Sequence, residues 1–421
     1  MRTVGGDDQG SGGTAPEATA VPRRGWPFDK PDFWRLWSIG LVGFAVRWLE
    51  MLVVGVFVYQ HTGSPFLVAL MTLLRLLPMA LLGAVLGAVA ERLERRTSLL
   101  ISIATMLTSS LAIALLAHAG QLAVWHLAVA SFVNGIAWAS DNPVRRVMMG
   151  EVVGPEGMGS AMAIDVGANN ASRMLGPTVG GLLLISIGID GAFFASVGGY
   201  VIALLVALRV RYRNRPAPAR SPVLAQIVEG VQLARRDRRL AGTLLITMIF
   251  NVFGWPFTSM IPVIGQDILA LTPEGIGYLA SMDGIGACCG AIAVALFGRP
   301  AHYARIYVGG VTGYLVMIIA FALIPWPVPA GAALLATGFM SSGFSIMQAT
   351  LVYLAAPPEM RSRLYGVLSV CIGSGPIGFL HLGLLSNGIG APDAVIVCAA
   401  EGLLALALTR RWWRAVGSPT A

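Results

Sequence analysis

The sequence predicts an all-α integral membrane protein with twelve transmembrane helices in two six-helix, pseudo-symmetric lobes. Composition is the first reason. The 421 residues are 56% hydrophobic and only 12% charged, whereas a soluble domain carries roughly 25% charged residues. Spacing is the second. Runs of about 20 apolar residues recur along the chain, each long enough to cross a ~30 Å hydrocarbon layer. The short alternating segments of an outer-membrane barrel are absent from the sequence. The third is the placement of arginine, which alternates between successive connections.

The chain opens with MRTVGGDDQGSGGTAPEATAVPRRGWPFDK. Rich in Gly, Pro and small polar residues, it lacks the apolar core of a cleaved leader. A disordered cytoplasmic tail is expected over 1–32, followed by a helix that serves as an uncleaved insertion signal. Apolar runs then predict spans near 33–60, 65–90, 97–118, 122–142, 159–187 and 191–210. A second set follows near 241–268, 274–298, 304–324, 329–355, 362–388 and 392–410. The first lobe is therefore 33–210 and the second 241–410, with a tail over 411–421. Between the lobes, 211–240 reads as a basic cytoplasmic linker. It includes a short amphipathic helix with Leu224, Ile227, Val228 and Val231 on one face.

All but one of the 29 basic residues are arginine. One set of connections holds Arg92, Arg95 and Arg96, Arg145 and Arg146, nine arginines from Arg209 to Arg239, Arg299 and Arg305, and Arg361 and Arg363. The alternate connections, near 61–64, 119–121, 188–190, 269–273, 325–328 and 389–391, hold no Lys or Arg. This asymmetry places both termini and the central linker in the cytoplasm. It also accounts for the net charge of +8 without a nucleic-acid partner. A phosphate-binding glycine loop, metal-ligand spacing and a nucleophile elbow are all missing from the sequence, so no ATP, cofactor, metal or enzymatic reaction is expected. Cys288, Cys289, Cys371 and Cys398 fall inside apolar runs and suggest no disulfide framework.

Two motifs carry a family resemblance. After the second span the chain reads Gly87-Ala-Val-Ala-Glu91-Arg92-Leu-Glu94-Arg95-Arg96, and the fifth reads Ser172-Arg-Met-Leu-Gly176-Pro177-Thr-Val-Gly180-Gly181. The first is similar to the G-x-x-x-D-R-x-G-R-R/K signature of the major facilitator superfamily, with Glu91 for Asp and Glu94 for Gly. The second resembles the G-x-x-x-G-P-x-x-G-G motif of its proton-coupled exporters, with Ser172 for the first Gly. VYQHTGSP at 58–65, RLLP at 75–78, ASRMLGP at 171–177 and PEMRSRLYGVLS at 358–369 further resemble the branch of the enterobactin exporter and drug efflux proteins. The resemblance spans roughly 33–410. It implies a multi-pass inner-membrane transporter with a small-molecule substrate held between two lobes, export by alternating access, and protons as coupling ion. It also implies that Glu91 or Arg92 latches the cytoplasmic end of a helix in the other lobe. Uptake with protons, or a scaffold or sensor that keeps the fold without transporting, are the competing readings. A monomer in the bilayer is expected.

Charges inside the spans are the candidate working residues, because each costs about 2.5–3.5 kcal/mol to insert. Arg47 and Glu50 share a helix face and read either as a self-neutralised pair or as a proton-exchanging acid beside its arginine. Arg75 lies in the second span. Asp165, Asn169 and Arg173 form a stripe in the fifth, where Asn169 bridges two groups ~12 Å apart or lines a cavity. Asp165 is either solvated or buried. Asp283 reads as a coupling acid or an incidental cavity residue. Asn251, Trp255 and Phe257 lie in a span interrupted by Pro256 and Pro262, a pattern that predicts a broken helix suited to a gate. Trp255 and Phe257 read either as flat surfaces for an aromatic or amphipathic substrate or as lipid-facing residues. Asp141 with Arg145 reads as a structural pair, His381 as a packing residue or proton relay, and Glu401 as a further charge inside a span.

Overall fold

The structure, a computed structural model, describes residues 30–92, 94–154, 158–212, 232, 237–355 and 361–413. Side chains are left undescribed at 82–92, 158–160, 163, 300, 353, 361–363, 365, 366 and 413. The N-terminal tail, nearly all of the linker and its expected amphipathic helix, and 414–421 lie outside the described residues.

The described residues are helical throughout. The helices are α1 (Pro31–Thr62), α2 (Pro65–Arg92), α3 (Arg95–His118), α4 (Val124–Val153), α5 (158–187) and α6 (189–208). Then come α7 (Arg238–Asp267), α8 (Pro273–Phe297), α9 (Tyr303–Leu323), α10 (Pro327–Ala355), α11 (361–389, interrupted at 373–374), α12 (Ala391–Leu408) and a terminal turn, α13 (Arg410–Trp413). Among the described residues, nine helices are long and apolar enough to cross a membrane. One of these nine is the 45-residue run Ile164–Leu208, which joins α5 to α6.

A straight helix of that length would extend ~67 Å, more than twice the hydrocarbon thickness. Gly188 resolves the conflict with φ 71° and ψ −175°, a conformation open to glycine and costly for other residues. The chain turns back there. At one end of α6, Asp190 meets His118 of α3, and near its other end Arg96 donates to the Leu208 carbonyl at 2.8 Å. Hence α6 runs antiparallel to α3.

Small residues set how closely the helices approach. Gly176 and Gly180 of α5 face α1: a Cβ on Gly176 would lie 2.6 Å from the Trp48 Cβ, and one on Gly180 would lie 2.9 Å from the Leu49 carbonyl oxygen. On its other face α5 meets α8, with Gly181 against the Pro273 carbonyl and Gly284 against the Met174 backbone. In the same way α2 meets α11, where Gly383 sits against Phe66 and Ala69. Such stripes let backbones gain dispersion contacts that lipid cannot supply as well. The export-type motif is thus a two-sided packing surface joining the first half of the chain to the second.

The break expected in α7 is present. A π turn over Phe250–Gly254 passes into a 3₁₀ stretch, Trp255–Met260, before the α-helix resumes at Ile261. Pro256 has no N–H for the Val252 carbonyl, and Gly378 of α11 packs directly against that freed oxygen. Phe257 is not lipid-facing, and Trp255 is half-buried. Trp255 packs edge-on against Phe379 at 5.4 Å, and Phe257 is fully buried against Tyr314 and Phe321.

Packing at Gly176 gives a direct test. Gly176→Val should cost about 1–3 kcal/mol of overpacking, read as a lower unfolding temperature in detergent. Gly43→Ala, where a Cβ meets nothing within 4 Å, should leave that temperature unchanged.

Candidate functional site

A cavity of about 70 Å³ lies at the centre of the bundle, walled by α1, α2, α4, α5, α7 and α8. Its lining is largely apolar, with Trp48, Met51 and Met71 prominent, and its charged residues are Arg75, Arg173 and Asp283. That volume holds a few waters. A pocket for a drug-sized ligand has roughly 300–1,000 Å³, so this cavity is too small for one.

Glu50 sits behind the cavity wall, 1% exposed. Its carboxylate accepts from Ser110 at 2.7 Å, from Arg75 at 3.3 Å and from Asn134 at 3.5 Å. The expected Arg47–Glu50 pairing is therefore not formed. Arg47, three residues earlier, instead lays its guanidinium 4.0 Å from the Trp138 ring centroid. The structural reason is that α2 presents the Arg75 guanidinium to the carboxylate, while the α4 indole supplies Arg47 with a π face.

The stripe on α5 divides among three neighbours. Asp165 is fully buried, correcting the solvated alternative, and accepts from Arg145 at 2.6 Å and Arg146 at 2.9 Å. Asp141 stands 3.9 Å from Arg145, the expected i, i+4 pair. Arg145 itself has no exposed surface. It stacks 5.1 Å from the Phe44 ring and fills the space beside Gly40, where any Cβ would meet its guanidinium. Asn169 bridges neither charge of its stripe and accepts from the Trp48 indole at 3.3 Å.

Arg173 reaches across to Asp283 of α8, forming an ion pair between the two halves of the chain on the cavity wall. One turn away, Thr178 and Ser281 hydrogen-bond at 2.8 Å over the same seam. Near the Arg-free end of the bundle, the Tyr59 hydroxyl donates to the Asp267 carboxylate, tying α1 to α7. Gly55 and Pro262 pack together just below it. That end is therefore closed by polar contacts over close apolar packing. Sequence reasoning passed over Tyr59 and Asp267 because each sits at a span boundary, where polar residues are ordinary.

At the arginine-rich end, the Gly87, Glu91 and Arg92 side chains lie outside the description. Arg95 pairs with Glu151 of α4, which also accepts from Tyr212 at 2.5 Å, and Arg96 caps the Leu208 carbonyl. These contacts bind α3, α4 and the end of α6 within the first half. Partial burial, then the Glu151 hydrogen bond, raise the Tyr212 hydroxyl above its ordinary pKa. Asn251 turns away from the cavity and donates to the Thr247 carbonyl of its own helix at 2.8 Å. His381 pairs with Glu401 at 2.6 Å, outside the central cavity.

A multi-pass helical bundle with charged groups around a central cavity is the architecture of a membrane transporter. The chain belongs to the Major Facilitator Superfamily, whose sequence model matches residues 36–379. It is 25% identical to the multidrug efflux pump Tap of Mycolicibacterium fortuitum over 359 residues, covering 82% of this chain and 87% of that one. It is 20% identical to macrolide efflux protein A of Streptococcus pyogenes over 396 residues, 88% and 95% of the two chains. It is 25% identical to the enterobactin exporter EntS of Shigella boydii over 377 residues, 87% and 86%. Among solved structures, the fold resembles a bacterial homolog of the human lysosomal transporter Spinster, captured inward-facing and unoccupied. That match has a TM-score of 0.73 and 15% identity, over 92% of this chain and 98% of the other. The nucleoside transporter NupG matches with a TM-score of 0.74 and 12% identity, over 91% and 99%.

Two predictions follow from these contacts. Asp165→Ala strips the fully buried Arg145 of its nearest carboxylate and should cost about 3–5 kcal/mol, visible as a sharp drop in unfolding temperature. The Tyr59→Phe, Asp267→Asn double variant should open the Arg-free end. A cysteine at the cavity residue Thr72, in a background without the four native cysteines, should then react several-fold faster with an impermeant thiol reagent added on that side.

Proposed function

We propose that the protein is a secondary active exporter of small amphipathic organic molecules, driven by protons in antiport through alternating access. The observation that carries this reading is the Arg173–Asp283 ion pair, which joins α5 to α8 on the wall of the central cavity. A proton on Asp283 removes the charge that holds Arg173 and weakens the seam between the halves. Proton occupancy and the distance between α5 and α8 are thereby linked.

Glu50 is the second proton-exchanging group in this reading. Protonated, it releases Arg75 into the cavity, and ionised it retracts that cation. The apolar wall of Trp48, Met51 and Met71 suits the hydrophobic body of a substrate, and the paired charges suit its polar end. The efflux activities in the names of its relatives support the outward direction. In this scheme 33–210 and 241–410 are lobes that rock about the cavity, and the arginine-rich end faces the cytoplasm with both termini. Glu91 or Arg92 then latches the opposite lobe when the outer end opens. A monomer suffices, since both walls of the cavity come from one chain.

Inverted vesicles with an imposed pH gradient test the proposal. An erythromycin-type macrolide or an amphipathic fluorescent dye should accumulate only while the gradient lasts. Asp283→Asn and Glu50→Gln should each lower gradient-driven flux at least about 100-fold with substrate binding retained, the lower end of the scale for losing a proton-transfer group. Accumulation that survives collapse of the gradient would overturn proton antiport, and gradient-driven flux in the opposite direction would establish uptake.

A further inference from the structure

A second cluster of chemically versatile side chains lies away from the central cavity. His381 of α11 and Cys398 and Glu401 of α12 bring an imidazole nitrogen, Sγ and a carboxylate oxygen within 4.8 Å of one another. Cys398 and Glu401 are three residues apart and share a helix face, while His381 arrives from the neighbouring helix. The cluster belongs to neither half-to-half seam and plays no part in the export scheme.

The surroundings hold these donors in place. Phe253 of the α7 π turn sets its ring edge-on to the His381 imidazole at 6.3 Å. Its backbone carbonyl accepts from the Cys398 thiol at 3.5 Å. Gly402 lets α12 approach α7 closely, since a Cβ there would stand 2.9 Å from the Phe253 Cβ. Cys398 is buried, whereas His381 and Glu401 are partly exposed at the bundle surface. Both lie near the middle of their helices. Ionisable groups there are costly against hydrocarbon, so a compensating partner is expected.

We propose that His381, Cys398 and Glu401 form a binding site for one divalent transition-metal ion of the zinc class. Nitrogen, sulfur and carboxylate donors together select zinc or cobalt over magnesium or calcium, which take oxygen ligands. The charge balance is favourable at this depth. A dication with one thiolate, one carboxylate and one neutral imidazole sums to zero. Tetrahedral coordination with bonds of ~2.0–2.3 Å places donors roughly 3.3–3.8 Å apart, so small side-chain rotations open the 2.6 Å His381–Glu401 contact enough to admit the ion. On binding, the Cys398 thiol bonds the metal as thiolate and gives its proton to solvent. The proton that Nε2 shares with Glu401 is exchanged through solvent to Nδ1, leaving a neutral imidazole whose Nε2 is free to ligate. Three protein ligands leave one position open. The bound ion would fasten α11 to α12 beside the interrupted segment of α7.

Titration of the purified full chain with cobalt(II) tests this. Wild type should bind one ion per chain, release one proton per ion into weak buffer, and show thiolate-to-cobalt charge-transfer absorption that zinc then displaces. Cys398→Ser should abolish that absorption, and His381→Gln and Glu401→Gln should weaken binding at least about 100-fold, since loss of a group that merely orients a ligand already costs about 10–100-fold. A wild-type spectrum without thiolate charge transfer, or equal affinity in the three variants, overturns the site. Because the readout is binding and not flux, the result is independent of whether the chain exports or imports.

Discussion

The requirement that governs this structure is that charge withdrawn from water must find a partner. A buried ion left alone costs several kcal/mol, and a paired one is tolerated only with good geometry and further hydrogen bonds. The protein meets that requirement differently at different places. Arg145 is held between Asp141 and Asp165, stacked on Phe44 and seated against Gly40, an arrangement that ties α4, α5 and α1 into one rigid unit. The Glu50–Arg75–Ser110–Asn134 cluster also stays within the first half, yet Arg75 reaches the cavity. Among the described residues, Arg173–Asp283 and Tyr59–Asp267 are the contacts of ionisable groups that join the two halves. Buried structural charge and rearrangeable charge are thus separated in space.

Packing makes those pairings possible. The backbones of α5 and α8 come close enough for Arg173 to reach Asp283 because Gly181, Gly277 and Gly284 carry no side chain between them. The interruption in α7 follows the same economy: Pro256 leaves the Val252 carbonyl without its helical donor, and Gly378 closes over it. A helix already released from regular hydrogen bonding at mid-length can change shape at little further cost.

Much of the fold was legible in the sequence. Hydropathy, arginine alternation and glycine-proline punctuation anticipate the helices from α1 to α4, the turn back between α5 and α6, and the broken α7. The cavity was legible in part. Arg75, Arg173 and Asp283 stood out as charges that membrane insertion disfavours, and all three line it. Their partners were not legible. Arg47 and Glu50 look like a pair at i, i+3, yet one finds an indole on α4 and the other an arginine on α2. Asn169 looks like a bridge and serves Trp48. Helical spacing says which residues share a face; it says nothing of which neighbour that face meets.

The sequence by itself determined the class of protein, the positions of its spans and the identity of its costly charges. These depend on local quantities, such as the free energy of transferring each segment into hydrocarbon and the backbone limits of glycine and proline. Tertiary structure alone decided which charges neutralise one another, that Arg173 and Asp283 bridge the halves, and that His381 meets Cys398 and Glu401. Those outcomes depend on how helices distant in the chain are brought side by side. In a low-dielectric interior, a difference of a few ångströms in that placement separates a stable ion pair from an insupportable lone charge.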